Sequence, residues 1–196
     1  MNRALDSTAL AQLFTEARTA NAWLDKPVEP SLLRELYALV KMGPTSQNCQ
    51  PMRLVFLTTA PARERLVPAL NAGNVEKTRQ APVSVIVAID RQFYDWMPKV
   101  WHNPSVRETI AARPDLAQVT AMRNATLQGG YLILAARALG LDCGPMSGFD
   151  IEKVNADFFP DGRWTANFLC NLGHAETSKF FVRQPRLSFE EACVVL

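Results

Sequence analysis

The sequence predicts an α+β fold in which a small mixed sheet is flanked by several helices. Its 196 residues are 48% hydrophobic and 20% charged, a composition typical of a globular chain with a sizeable core. Apolar runs typical of buried strands alternate with stretches of helical periodicity. No repeat, low-complexity tract or linker divides the chain, so we expect a single domain over residues 1–196.

The first half of the chain predicts two helices, a strand and a third helix. A hydroxyl N-cap begins the first helix at Ser7 or Thr8, and another begins the second helix at Ser31. The second helix carries the apolar stripe of an amphipathic segment. Residues 52–58 (MRLVFLT) predict a strand, and residues 61–70 predict a helix that begins with proline.

One buried strand and one long helix dominate the second half. After the polar residues 71–80, residues 81–90 (APVSVIVAID) are almost continuously apolar, as in a strand buried on both faces. Residues 91–113 contain two prolines and several aromatic side chains, and we expect them to form a covering segment with short helices. A long helix should begin near Asp115 and end at Gly140.

The long helix contains an unusual pair, Gly129 and Gly130. Each glycine lowers helix stability by ~1 kcal/mol, so the pair predicts close packing by another backbone. The remaining predictions are a loop over residues 140–150, a helix over 151–159, a strand over 165–173 and an extended C-terminal tail with a possible fourth strand.

Charge and composition exclude several classes of partner. The formal net charge of +2 gives no reason to expect nucleic acid or an acidic membrane surface. The apolar run over residues 131–141 is interrupted by Arg137 and is too short to span a bilayer. The N-terminus lacks the apolar core of a signal peptide, so we expect a cytoplasmic protein. Four cysteines form no C-x-x-C pair and two histidines lack metal-ligand spacing, so no metal site is predicted.

Three polar or glycine-rich loops carry the residues suited to chemistry. They are residues 17–23 (ARTANAW), 43–51 (GPTSQNCQP) and 140–150 (GLDCGPMSGFD). With Asn74 and Lys77 they supply cations, hydroxyls and amides, which suit an anion joined to a planar ring such as flavin mononucleotide (FMN). Each piece also has an ordinary interpretation, as a solvated cation, a surface charge or a tight turn, and these alternatives stay open on spacing alone.

The order of these blocks resembles the nitroreductase family of flavin enzymes. Arg18-Thr19, PTSQNCQP, Asn74 with Lys77, GLDCGPMSGFD and Arg183 follow one another as in that family, over nearly the whole chain. Within the family, GPTSQNC, ALGLDCGPMSGFD and PRLSFEEA look closest to the malonic semialdehyde reductase branch of pyrimidine catabolism. Ala17 and Asn21 stand where many members have further basic residues, and Met52 stands in place of a common tryptophan.

This resemblance implies FMN as cofactor, NADH or NADPH as reductant, and a homodimer with an extended C-terminal tail. Loop 43–51 would then reach over the flavin held mostly by the partner subunit. The phosphate would rest on Arg18, Thr19 and Arg183, and Lys77 would lie near the N1–O2 edge of the ring. The expected cofactor-binding residues are Arg18, Thr19, Asn21, Pro44, Thr45, Ser46, Asn48, Asn74, Lys77, Pro145, Met146, Ser147, Gly148 and Arg183.

The implied reaction is a two-step, ping-pong hydride transfer that reduces malonic semialdehyde to 3-hydroxypropionate. A broad NAD(P)H nitroreductase or quinone reductase, a non-catalytic flavin-binding protein and a flavin-free interaction domain are the alternatives. An acceptor with a carboxylate favours a cation near the flavin, for which Arg107 and Arg113 are the best candidates. Alternatively, these arginines pair with Glu108 or Asp115 on the surface.

Overall fold

A four-stranded sheet forms the centre of the computed structural model, which describes residues 3–196. Its strands are β1 (Met52–Leu57), β2 (Val83–Asp90), β3 (Asp142–Met146) and β4 (Trp164–Gly173). They are ordered β1-β2-β4-β3, and all three pairings are antiparallel. The sequence predicted a mixed sheet, and this detail was wrong, because the sheet is entirely antiparallel. An isolated parallel bridge outside the sheet joins Thr19 to Cys143.

Helices cover both faces of the sheet, which confirms the predicted α+β class. They are α1 (Ser7–Leu10), α2 (Pro30–Val40), α3 (Ala60–Glu64), α4 (Ala72–Gln80), α5 (Met97–Val100), α6 (Val106–Ala111), α7 (Pro114–Ala138), α8 (Ile151–Phe158) and α9 (Phe189–Ala192). A π-helical turn, Ala11–Thr15, extends α1. Within residues 3–196, no helix has both the length and the apolar character that crossing a membrane requires.

The core lies on the two faces of β2, and all eight residues of this strand are buried. Val85 and Val87 pack with the apolar faces of α2 and α7, whereas Ile86 and Ala88 point to a second cluster that includes Val154 of α8. Because side chains alternate along a strand, one central strand organises both layers. The prediction of a buried strand at this position is confirmed.

Strand β3 was not predicted; it lies where the sequence predicted a loop. Proline at position 145 weakens the strand pattern, but β3 is an edge strand, where proline is tolerated. The prediction of a possible tail strand was wrong, because residues 180–188 form no regular element and only the short helix α9 follows.

Helix α4 was also missed, and several local predictions need correction. Only Thr78 of α4 is buried, so the helix depends on tertiary contacts more than on an apolar stripe. The N-cap residues of α1 and α2 are Asp6 and Glu29, in place of the predicted hydroxyl residues. A Cβ on Gly129 would lie 2.5 Å from the Phe168 ring, so the close neighbour is a side chain and not a backbone.

Candidate functional site

Residues 17–23 run beside the edge strand β3. The amide of Ala20 donates to the Cys143 carbonyl at 2.9 Å, and Thr19 bridges to the same residue. A Cβ on Gly144 would lie 2.7 Å from the Ala20 carbonyl oxygen, so glycine permits this approach. The contacts bring Arg18, Thr19 and Asn21 next to the strand that leads to Pro145.

Helix α4 packs against the end of the same strand. The side-chain Nδ2 of Asn74 donates to the Gly148 carbonyl at 2.7 Å, and the backbone N–H of Asn71 donates to the same carbonyl at 3.0 Å. A Cβ on Gly148 would lie 2.8 Å from Asn74 Nδ2 and 3.1 Å from Asn71 Nδ2. Of the predicted residues 145–148, Gly148 therefore meets Asn74 directly, together with Asn71, which sequence reasoning missed, and Met146 Sδ accepts from Thr78 Oγ1 of the same helix at 3.8 Å.

Buried polar groups hold the second half of α4. The Lys77 carbonyl accepts from Trp23 Nε1 at 2.8 Å and from the buried Asn171 Nδ2 at 3.2 Å. Ser84 Oγ in turn donates to Asn171 Oδ1 at 2.7 Å. Burial lowers the pKa of Lys77, whose ammonium pairs with no carboxylate among residues 3–196. A poorly solvated ammonium of this kind favours an anionic ligand.

The two arginines predicted for the phosphate lie together. Arg18 Nη2 donates to the Phe181 carbonyl, and Arg183 Nη2 donates to the Ala17 carbonyl at 3.2 Å. The Arg18 guanidinium also lies 5.4 Å from the centre of the Phe180 ring. A guanidinium has five N–H donors, so these bonds leave most of them for a ligand. We call residues 17–23, α4 and residues 145–148 the cradle, which Arg183 joins from the tail.

Loop 43–51 differs from the cradle in backbone conformation. Gln47, Asn48 and Gln50 have φ angles of 51°, 53° and 40°. No other non-glycine residue among those described has a positive φ. Left-handed conformations cost roughly 1–2 kcal/mol for an L-residue other than Asn or Asp, and such strain persists where the surroundings impose it. Strain of this kind motivates a functional hypothesis for the loop.

Two buried amides of α7 hold the backbone on either side of the residues with a positive φ. Asn124 Oδ1 accepts from the Ser46 amide at 2.8 Å, and Gln128 Oε1 accepts from the Met52 amide at 3.1 Å. Both side chains are buried. Sequence reasoning missed them, although amides four residues apart share one helix face and a polar group on a buried face needs a partner.

Further bonds hold the middle of the loop. Asn48 Nδ2 donates to the Val100 carbonyl at 2.8 Å, which joins the loop to the covering segment. Thr45 Oγ1 accepts from the Gln50 amide at 3.2 Å. A cavity of about 560 Å³ lies over the loop, lined by Pro44 and its neighbours with Lys41 and Trp101. Burial raises the pKa of the Cys49 thiol to about 11, so this thiol is not a nucleophile at neutral pH.

Within one chain the loop and the cradle are separate. Loop 43–51 enters the sheet beside the end of β2, where the Asp90 amide donates to the Pro51 carbonyl at 2.8 Å. Helix α4 instead leads into the beginning of β2. No hydrogen bond or ion pair among residues 3–196 joins the loop to the cradle. The predicted residues Pro44, Thr45, Ser46 and Asn48 are thus not brought to the other ten in a single chain.

The covering segment, residues 91–113, folds as short helices that contact the loop at Val100 and share a cavity wall with it at Trp101. Phe93, Met97 and Ile110 are buried in the main core, whereas Trp96 is 46% exposed. Arg107 pairs with Glu108 at 3.5 Å, as the surface-pairing alternative expected, and more closely with Asp95 at 2.9 Å, which was not expected. Among residues 3–196, Arg113 forms no ion pair with Asp115. No group of three metal-ligating side chains comes together within the described part of the chain.

Comparison with known proteins identifies the family. A family model described as "Nitroreductase family" matches residues 15–174. The chain belongs to the nitroreductase family. The predicted family and its enzyme class, an oxidoreductase, are thereby confirmed. A Ralstonia nicotianae protein, provisionally named NADH dehydrogenase/NAD(P)H nitroreductase, is 57% identical over 192 residues, which cover 98% of each chain.

Solved structures of nitroreductase-family proteins share the fold. YdfN from Bacillus subtilis, assigned as a nitroreductase, has a TM-score of 0.84 at 23% identity and covers 97% of this chain and 100% of its own. A protein assigned as a nitroreductase from Exiguobacterium sibiricum, crystallised in complex with FMN, has a TM-score of 0.84 at 16% identity. It covers 100% of this chain and 99% of its own. These likenesses confirm the nitroreductase-like fold; they do not distinguish the malonic semialdehyde branch.

Proposed function

We propose that this nitroreductase-family enzyme is an FMN-dependent NAD(P)H oxidoreductase of broad acceptor range, active on nitro compounds and quinones. The observation that carries the proposal is the cradle, in which Arg18 and Arg183 lie together, Lys77 is partly buried without a carboxylate partner among residues 3–196, and Asn74 holds the turn at Gly148. Two guanidinium groups with free donors suit a phosphate. The Asn71 and Asn74 side chains pack closely against Gly148, so a side chain at this position would displace α4 from the turn.

Each residue of the cradle has a distinct task in this proposal. Arg18, Thr19 and Arg183 bind the phosphate, and the bond from Asn74 fixes the turn at Gly148. FMN, when bound, supplies the hydride chemistry between NAD(P)H and the acceptor. The Lys77 ammonium stabilises negative charge at the edge of the ring, where its partial burial strengthens the interaction. The covering segment limits access of water to the site.

A homodimer completes the site in this proposal. Large apolar side chains along one side of α7 are exposed, and so are several in the tail. They are Leu116, Val119, Met122, Leu127 and Tyr131 on α7, and Phe181, Val182, Leu187 and Phe189 in the tail. Exposed apolar surface of this extent is typical of an interface. A two-fold interface would bring loop 43–51 of each chain to the cradle of the other and create two equivalent sites.

Malonic semialdehyde is a second candidate acceptor. The motif blocks favour it, and Lys41 lines the cavity over loop 43–51, where its ammonium could attract a carboxylate. Steady-state rates on malonic semialdehyde, a nitroaromatic and a quinone distinguish the two proposals. A kcat/KM for the semialdehyde well above the other two would favour the narrower function.

The visible spectrum tests the proposed function. We expect the purified protein to bind added FMN. NADH or NADPH should then reduce the bound FMN and bleach its visible absorbance under anaerobic conditions. Bound FMN that neither nucleotide reduces would favour a non-catalytic flavin-binding protein. A colourless protein that ignores FMN would overturn the proposal. Sedimentation at micromolar concentration checks the dimer, and a flavin-loaded monomer would contradict it.

A further inference from the structure

A buried carboxylate lies where loop 43–51 and the covering segment meet. Asp90 is the last residue of β2 and is completely buried. Its oxygens accept from Arg53 Nη2 at 2.7 Å, from Arg163 Nε at 3.2 Å and from the Gln92 amide at 3.0 Å. A buried charge is costly unless it is paired in this way.

The first arginine connects Asp90 to the strained loop. Arg53 Nη1 donates to the Gln50 carbonyl at 2.9 Å and to the Met52 carbonyl at 2.8 Å. Gln50 is one of the three residues with a positive φ. Asp90 holds the guanidinium that in turn holds the C-terminal end of the loop.

The second arginine connects Asp90 to the covering segment. Arg163 Nη1 lies 3.4 Å from Asp95 Oδ2, and Arg107 Nη2 lies 2.9 Å from Asp95 Oδ1. Asp95 precedes the exposed Trp96, whose ring centre lies 5.9 Å from the Arg53 guanidinium carbon. The ion pairs therefore form one chain, from the loop through β2 to the first turns of the segment.

We propose that Asp90 and Asp95 are positioning residues that fix loop 43–51 relative to the covering segment, and thereby determine which acceptors are reduced. The inference rests on the proposed function, which places both segments beside the flavin of the partner subunit. Ion pairs buried in a core are often replaceable by apolar residues without loss of stability. This cluster instead joins the two segments that would line the acceptor site, and misplacement by 1 Å has large kinetic effects.

Two variants and one control test the inference. Asp90→Asn and Asp95→Asn remove charges of the cluster; Asp95 is 30% exposed, so its variant decides the question if Asp90→Asn fails to fold. Asp157→Asn is the matched control, because it breaks an exposed ion pair with Arg65 far along the chain from both segments. The readouts are the Kd for FMN, kcat/KM for a quinone and for a small aldehyde, and hydrogen–deuterium exchange.

We expect Asp95→Asn to bind FMN like the wild type but to change the quinone-to-aldehyde ratio of kcat/KM by roughly tenfold. Amide exchange should rise in residues 45–50 and 91–100, whereas the control should change neither readout. If the variants bind FMN and keep both the wild-type quinone-to-aldehyde ratio of kcat/KM and the wild-type amide exchange, this inference is wrong and the proposed function still stands. Wild-type protein that binds no FMN would overturn the proposed function and this inference together.

Discussion

The cradle and loop 43–51 are built in opposite ways. The cradle uses backbone carbonyls, a closely packed glycine and cations that solvent reaches, and none of its residues has a positive φ. The loop has three residues with a positive φ in four positions, two of them glutamines that carry the full strain, and is held by two buried amides of α7. The difference indicates that the cradle is shaped to receive a ligand, whereas the loop is held rigidly to present its side chains elsewhere.

This comparison has a measurable consequence. Substitutions in the cradle should weaken ligand binding more than they weaken folding, since its cations contact few other groups. Substitutions at the residues that hold the loop should weaken folding, because they remove hydrogen bonds to the backbone amides of Ser46 and Met52. The predictions below test this division, from the largest expected effect to the smallest.

Arg18→Ala and Arg183→Ala should each weaken FMN binding far more than riboflavin binding, because riboflavin lacks the phosphate. A charge-assisted hydrogen bond is worth roughly 1.5–3 kcal/mol, which corresponds to about a 10- to 150-fold rise in Kd for FMN. Fluorescence titration with the two flavins measures the difference. Equal losses for both flavins would place these arginines away from the phosphate.

Asn124→Ala should lower the free energy of unfolding by about 0.5–1.5 kcal/mol, since the Ser46 amide loses its acceptor. Asn167→Ala is the control, because Asn167 donates only to the exposed Thr126 Oγ1. Urea unfolding of the two variants gives the comparison. A loss for Asn124→Ala no larger than that for Asn167→Ala would show that the loop does not depend on this bond.

Gln47→Gly tests the strain in the loop directly. Glycine adopts a positive φ freely but loses more backbone entropy on folding, so the net change should be small. Ser46→Gly carries the same entropic cost with no left-handed conformation to relieve. We expect Gln47→Gly to be more stable than Ser46→Gly by about 1 kcal/mol. Similar unfolding free energies for the pair would contradict strain at Gln47.

The lowered pKa of Lys77 predicts that FMN affinity depends on pH. Burial places its pKa below the ordinary 10.5, so the ammonium is lost earlier than that of an exposed lysine as the pH rises. FMN affinity should therefore fall between neutral pH and 10.5, whereas Lys77→Gln should bind weakly with a flatter profile. In the ligand-free protein, the free energy of unfolding should change in the opposite direction. Because the pKa of Lys77 is lower in the folded than in the unfolded state, the contribution of Lys77 to stability rises with pH. Parallel profiles for wild type and variant would exclude Lys77 from the site.

Strong local patterns made part of the fold predictable. The apolar run of β2, and the long glycine-terminated stretch of α7 with Gly140 at φ 76°, specify those elements without tertiary context. By contrast, β3 and α4 exist because of contacts that no local pattern reveals, such as Ala20 beside Gly144. A proline in a strand and a helix with one buried residue both resemble loops in sequence.

The residues of the candidate site could be predicted from the sequence, but the residues that hold them in place could not. The order of motif blocks led to the cradle residues, which the structure brings together. Asn124 and Gln128 were not found, because an amide within a helix is usually exposed and their partners lie 78 and 76 residues away. The cytoplasmic location, the dimer and the single domain over residues 1–196 stay predictions.

Complementation between two inactive variants tests the central claim most directly, namely that the cradle of one chain and the loop of another form one site. One variant carries Arg18→Ala with Arg183→Ala, and the other carries Ser46→Ala with Asn48→Ala. Random mixing of subunits makes half of the dimers mixed, each with one intact site, so about a quarter of wild-type NAD(P)H oxidoreductase activity should return. If co-expressed and co-purified variants form mixed dimers but stay as inactive as each alone, the two regions do not share a site.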